Sequence, residues 1–250
     1  MRSPEEAQNP PLLTDAQIEA AAEQLLSDFD GWAQEITRPV PVEVIAEHFL
    51  GYELVVSEDG VFADRDCLGG IAFEDETITI NRSIEGDLGR YSFTVAHEIG
   101  HHVLHKEFYF DHLKKNTAKI ICREVSSKPV IERQADRFAA ALLMPSKIVA
   151  SAVSSISKGS RPFEKPTTAE LRTLAAKVVA ISGVTNVSNT AMVNRLIDLG
   201  LVSGAKYQTG RPQDFYREVR DIGFNMRTIK WVFSSLKYPL RLLRKLRKSK

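Results

Sequence analysis

The 250-residue chain predicts an α+β fold, and three features carry that prediction. Short alternating stretches suited to strands are confined to residues 52–81. Two helical stretches of 3.6 periodicity, near 86–105 and 130–143, follow them in series. Two further helices, near 168–181 and 189–199, close the patterned part of the chain. The expected architecture is a small β-sheet against two long helices, followed by a helical C-terminal region.

The elements are justified in turn. Thr14 with Gln17 three residues on forms a capping-box pattern ahead of Ile18, Ala21, Ala22 and Leu25, so a helix is expected over about 15–29. Val44, Ile45 and Phe49 mark a short helix near 42–50, with Gly51 placed to end it. Tyr52 to Val56 alternates as a strand does. Residues 69–73 and 77–81 flank the acidic turn Glu74-Asp75-Glu76 and read as a hairpin. The strand Thr77–Asn81 fits an edge that takes a peptide by strand addition, and fits plain core structure equally. The helix at 130–143 stops at Pro145. A Ser, Gly, Pro and Lys-rich stretch at 154–166 reads as a boundary.

The chemistry is concentrated at residues 97–101, which read His-Glu-Ile-Gly-His. On a helix the two histidines lie about 40° apart around the axis and about 6 Å apart along it. Both imidazoles can therefore reach one metal ion. Glu98 is rotated about 100° from His97, which suits a carboxylate that takes a proton from water rather than a third ligand. A catalytic zinc needs three protein ligands. The extended three-histidine pattern fails, because Leu104 and Glu107 stand where it requires glycine and histidine. His105 shares the face but lies about 12 Å from His97 along the helix, too far to share the ion without strain.

The helix at 130–143 offers Glu132 and Asp136, four apart, beside the apolar positions Ile131, Ala135, Phe138, Ala139 and Leu142. Packed on the HExxH helix, that face would bring Glu132 to the metal as third ligand. Asp136, one turn on, would accept a hydrogen bond from a ligating imidazole. The competing reading is two solvated acids paired with Arg133 and Arg137. His102, His105, Tyr109 and His112 are expected to be structural or exposed.

The sequence HEIGHHVLH, followed by ERQADRFAAALLMP, resembles the ImmA/IrrE family of zincin-like metallopeptidases. PVPVEVIAEHFLGYELVV and GGIAFEDETITINRS resemble that family's opening helix-strand unit and hairpin. The resemblance covers about residues 14–145. It implies a zincin-like peptidase core, with His97, His101 and Glu132 as ligands of zinc (or manganese) and Glu98 as general base. Asp136 stands where the family often carries Asn. The implied substrate is a helix-turn-helix repressor, whose cleavage switches on stress-response or mobile-element genes. The expected division is a peptidase domain over 14–153, a helix-turn-helix-like subdomain over 166–203 and a basic tail over 204–250.

Composition narrows the setting. The first residues carry no apolar stretch behind a basic start, and no run of about 18 apolar residues is present, so a cytoplasmic protein is expected. Cys67 and Cys122 form no CxxC and are read as reduced, packed thiols. The net charge of +1 conceals a polarised chain, with 5 Lys/Arg against 21 Asp/Glu in residues 1–100 and 28 against 11 thereafter. After Asp221 the tail has no acid, and nine Lys/Arg follow. Its apolar Ile229, Val232, Phe233, Leu236, Leu240 and Leu243 share one helical face, interrupted at Pro239. Such a helix can meet a membrane surface, nucleic acid or an acidic partner, or pack on its own domain. The alternative function is therefore a DNA-binding regulator acting through the C-terminal region, with a structural or vestigial metal site. Against it, Arg195 is the only basic residue in the candidate recognition helix.

Overall fold

The structure is a computed structural model that describes residues 12–34, 38–58, 61, 67–110, 121–122, 130–157 and 163–206. Helix α1 (Asp15–Ala33) begins at the capping box: Thr14 Oγ1 accepts from the Gln17 N–H, and the Gln17 side chain accepts from the Thr14 N–H at 2.9 Å. It buries Ile18, Ala22, Leu25, Leu26 and Phe29. A short turn of helix, α2 (Val42–Val44), widens into a π-turn at Ile45–Phe49. Gly51, at φ +81°, lets the chain leave that turn for the first strand.

The sheet holds β1 (Glu53–Ser57), β2 (Gly69–Ala72), β3 (Thr77–Asn81) and β4 (Ile121–Cys122) in the order β1-β3-β2-β4. β2 and β3 form the expected hairpin, Gly69 opposite Ile80 and Ala72 opposite Thr77. β1 runs parallel to β3, from Glu53 opposite Thr77 to Ser57 opposite Asn81. β3 is therefore an inner strand, and the edge-strand role considered for Thr77–Asn81 does not hold. Its alternation records one buried face, with Ile78 and Ile80 inaccessible. Period 2 reports what lies above and below a strand, not what lies beside it.

Helix α3 (Leu88–Phe108) is capped by Asp87, whose Oδ1 accepts from the Arg90 N–H at 3.1 Å. It packs on β2 and β3 through a core that includes Val95, Ile99, Ile71 and Ile80. Helix α4 (Val130–Leu143) lies along α3 and against α1, burying Ala135, Phe138, Ala139 and Leu142. Helices α3 and α4 approach closely at Gly100. A Cβ there would stand 3.2 Å from both Cα and the carbonyl oxygen of Ala135. Glycine in mid-helix costs about 1 kcal/mol in propensity, and here it permits the two axes to meet.

Pro145 ends α4, and α5 (Ser146–Ser157) follows at 55° to it. This helix was not anticipated, and its last residues occupy the start of the stretch read as a boundary. Serines lower its propensity, yet Val149, Ala152 and Val153 are buried at helical spacing. A two-stranded pair, β5 (Phe163–Glu164) with β6 (Val202–Ser203), brackets α6 (Thr168–Ser182) and α7 (Asn189–Asp198). Thr167 and Glu170 form a second capping box, and Ser188 Oγ caps α7 by accepting from the Ala191 N–H at 3.0 Å.

These last helices are tied to the rest of the described core by polar contacts. Asn186 Nδ2 donates to the Val40 carbonyl at 3.0 Å. Arg195 is 1% exposed: its Nε donates to the Met144 carbonyl at 2.9 Å and its guanidinium forks onto the Glu19 carboxylate. Arg195 is thus held inside the molecule rather than presented to a phosphate backbone. Arg137 joins α4 to α1 and α7 through Asp15 and Asp198, each at 2.9 Å. Among the described residues no single helix is long and apolar enough to cross a membrane. The bent pair α4 and α5 passes by length and composition, but much of α4 is buried core and it carries Glu132. The amphipathic pattern expected beyond residue 206 lies outside the described residues.

Candidate metal centre

Helix α3 presents His97 and His101 one turn apart on the face covered by α4. Across the Gly100–Ala135 contact, α4 presents Glu132 to the same point. His97 Nε2 and His101 Nε2 are 3.1 Å apart. Glu132 Oε2 lies 3.3 Å from His97 Nε2, and Glu132 Oε1 lies 3.2 Å from His101 Nε2. Ligand atoms placed 2.0–2.1 Å from a tetrahedral zinc are about 3.3 Å from one another. The three side chains thus have the mutual spacing of three corners of such a site, and all are buried.

The donor set fits a metal for a second reason. Asp136 Oδ1 lies 3.0 Å from His97 Nδ1 and accepts its proton. A neutral His97 therefore directs the Nε2 lone pair at Glu132 and His101, where no proton remains to share. Glu132 Oε2 is buried and lies against His97 Nε2. Three buried acceptors meeting in this way need a positive charge between them.

The electrostatics agree. Burial works against charge on His97, but hydrogen bonds to Asp136 and Glu132 and the field of Glu98 push its pKa up to about 9. Burial would raise the Glu132 carboxyl, yet hydrogen bonds to His101 and His97 hold it well below the usual carboxylate range. Burial lowers His101, outweighing the opposing contact with Glu132. The cluster thus attracts one positive charge, for which a proton on His97 and a divalent cation compete.

Glu98 is 3% exposed and turns toward the sheet rather than toward α4. A Cβ on Gly69 of β2 would stand 3.1 Å from Glu98 Oε1 and 2.3 Å from Thr94 Cγ2. Glycine at 69 is what allows the strand to run this close to the carboxylate.

Every site residue singled out from sequence is at or beside this centre. His97, His101 and Glu132 converge, Asp136 orients His97, and Glu98 sits on the next position of α3. His105 points away from the ligand atoms and forms no part of the three-ligand cluster. It stands 3.1 Å from His101, Nδ1 to Nδ1, and its Nε2 lies 2.8 Å from Gln134 Oε1. His102 accepts from the Tyr52 hydroxyl at 2.8 Å, and Tyr109 is buried against Phe73. His112 lies outside the described residues. Sequence reading missed Gly69, Gly100 and Gln134. For Gly100 a signal existed, a glycine in the middle of a strong helix. Gln134 stood one turn before Phe138 on a buried face, so its burial was readable but its partner was not.

No curated protein matches the chain. Residues 57–177 match the profile of the IrrE N-terminal-like domain, the M78 peptidase family. That span contains α3, α4 and all three converging side chains. Through it the chain carries an M78 peptidase domain of the IrrE N-terminal-like kind, in agreement with the ImmA/IrrE resemblance of its HEIGH and ERQAD motifs.

Proposed function

We propose that the protein is a zinc-dependent endopeptidase, with manganese as the alternative metal, that cleaves a helix-turn-helix repressor and thereby releases the genes it holds. The observation that carries the reading is the meeting of His97, His101 and Glu132 donor atoms at 3.1–3.3 Å, with Glu98 next to His97 on the same helix. The M78 domain supports a zinc metallopeptidase-type activity. The repressor as substrate rests on the ImmA/IrrE resemblance.

A divalent ion held by the three side chains would acidify water and polarise the scissile carbonyl. Glu98 accepts the water proton on its carboxylate and returns it to the leaving amine. A structural zinc would not require that carboxylate. Asp136 keeps the proton of His97 on Nδ1, so that Nε2 stays a donor to the ion. Gly69 holds β2 against Glu98 and so limits the volume in which the carboxylate can move.

The test is cleavage of the regulator encoded beside this protein, with zinc or manganese, by the wild type and by Glu98→Gln. The wild type should cut, a chelator should abolish cutting, and the variant should bind metal yet lose about 10²–10⁴ in rate. Equal cutting by both proteins would remove Glu98 from the mechanism. Failure of the wild type to cut any helix-turn-helix regulator, while cutting an unrelated protein, would overturn the substrate assignment alone.

A further inference from the structure

The two histidines of the centre are held from behind by different chemistry. His97 donates from Nδ1 to a carboxylate, Asp136. His101 meets a second imidazole, His105, and that ring in turn meets Gln134. His101, His105 and Gln134 are all buried, His105 completely. Among the described residues the groups behind His101 are neutral, His105 and then Gln134, and they place the proton on its ring.

We infer that Gln134, acting through His105, is a positioning residue that fixes His101 in the tautomer able to hold a metal. The chain of protons runs in one direction. Gln134 Oε1 can only accept, so His105 carries its proton on Nε2 and donates it over 2.8 Å. His105 Nδ1 is then a lone pair, and it accepts the proton on His101 Nδ1 over 3.1 Å. That leaves His101 Nε2 bare and facing Glu132 Oε1 and His97 Nε2. In the opposite tautomer His101 would carry a proton at the point where the ion belongs. With Asp136 serving His97, both imidazoles are then set before the metal arrives, one by a charged acceptor and one by a neutral relay. This inference rests on the metal-site reading given above.

Cobalt(II) and zinc titrations of the full chain against a competing chelator test it, with the cobalt absorption spectrum and the imidazole nitrogen shifts of His101 as structural readouts. His105→Leu removes the acceptor and should weaken binding by about 10–100-fold. Gln134→Met, nearly isosteric, leaves His105 free to take either tautomer and should weaken binding by about tenfold. His105→Asn places an amide oxygen where Nδ1 stood and should recover most of the loss. In that background Gln134→Met should have no further effect. Nitrogen shifts should report His101 protonated on Nδ1 in the zinc-loaded wild type. Wild-type affinity and spectrum in both His105→Leu and Gln134→Met would overturn the inference. So would His105→Asn losing as much as His105→Leu, which would mark the residue as packing alone. Should His105→Leu not fold, Gln134→Met decides by itself. Unchanged affinity in His101→Ala would instead bring down the metal-site reading beneath it.

Discussion

Among the described residues, the buried polar clusters around Arg195 and around Glu132 obey opposite rules. At Arg195 each of the three guanidinium nitrogens donates to a matching acceptor, the Met144 carbonyl or the Glu19 carboxylate. Charge and hydrogen bonding both close within the protein, and the cluster fastens α7 to α1 and to the end of α4. At Glu132 acceptors face acceptors: two imidazole lone pairs and a carboxylate converge at 3.1–3.3 Å. Among the described residues no Lys or Arg enters that arrangement, which suits a bound cation. A satisfied polar cluster indicates structure, and a mismatched one indicates a ligand.

The contrast can be broken by substitution. The largest effect belongs to chemistry: Glu98→Gln should lower proteolysis by about 10²–10⁴ while zinc affinity stays within a few-fold, measured by rate and by chelator competition. Next, Arg195→Leu should destabilise the fold by about 2–3 kcal/mol in denaturant unfolding. That is below the ~3–5 kcal/mol of a fully buried broken pair, because the Glu19 side chain remains 25% exposed. Glu132→Gln should behave in the opposite way, leaving chelated protein no less stable while abolishing the gain from zinc. For the wild type that gain is about 2.7 kcal/mol at a hundredfold excess over the dissociation constant. If Glu132→Gln unfolds the chelated protein and Arg195→Leu does not, the structural and ligand-binding roles have been exchanged. A smaller effect is expected for Gly100→Ala. The added methyl meets Ala135 at 3.2 Å, so α4 must shift; stability should fall by about 1 kcal/mol and zinc affinity with it.

The two clusters were not equally legible in the sequence. His97, Glu98 and His101 are set by the geometry of one helix, so their spacing sufficed. Glu132 lay on a second helix and became readable because its apolar face, Ala135, Phe138 and Ala139, had to meet another element. Which element it met depended on Gly100, whose meaning appears only when the two axes are seen to touch. The Arg195–Glu19 pair joins residues 176 positions apart, and no local pattern announces such a contact. Sequence could say that Arg195 was alone among basic residues on its helix, but not that it was buried. The parallel pairing of β1 with β3 was hidden for a similar reason, since alternation fixes a strand's faces and leaves its neighbours open. Helix α5 was obscured by its serines, whose low propensity was overridden by three buried apolar side chains.

A third polar contact, outside both clusters, sharpens the comparison through pH. His102 accepts from the Tyr52 hydroxyl, and burial, assisted by Lys106, lowers its pKa to about 4. Burial also pushes Tyr52 up to about 12, so the phenol keeps the proton it donates. An unfolded histidine titrates near 6.5. The folded state therefore holds fewer protons at this site than the unfolded state between about pH 6.5 and pH 4, and stability must fall with pH across that window. Above pH 6.5 the contribution is fully present, and below pH 4 the loss is complete. His102→Gln keeps an acceptor for Tyr52 but cannot titrate. Urea unfolding at pH 7, 6 and 5 should give parallel behaviour at the upper end and a steeper decline in the wild type below pH 6.5, by under about 1 kcal/mol per pH unit. The metal cluster titrates in both proteins and cancels in the difference. An equal decline in the variant would assign the acid sensitivity to the Glu132 cluster and not to His102.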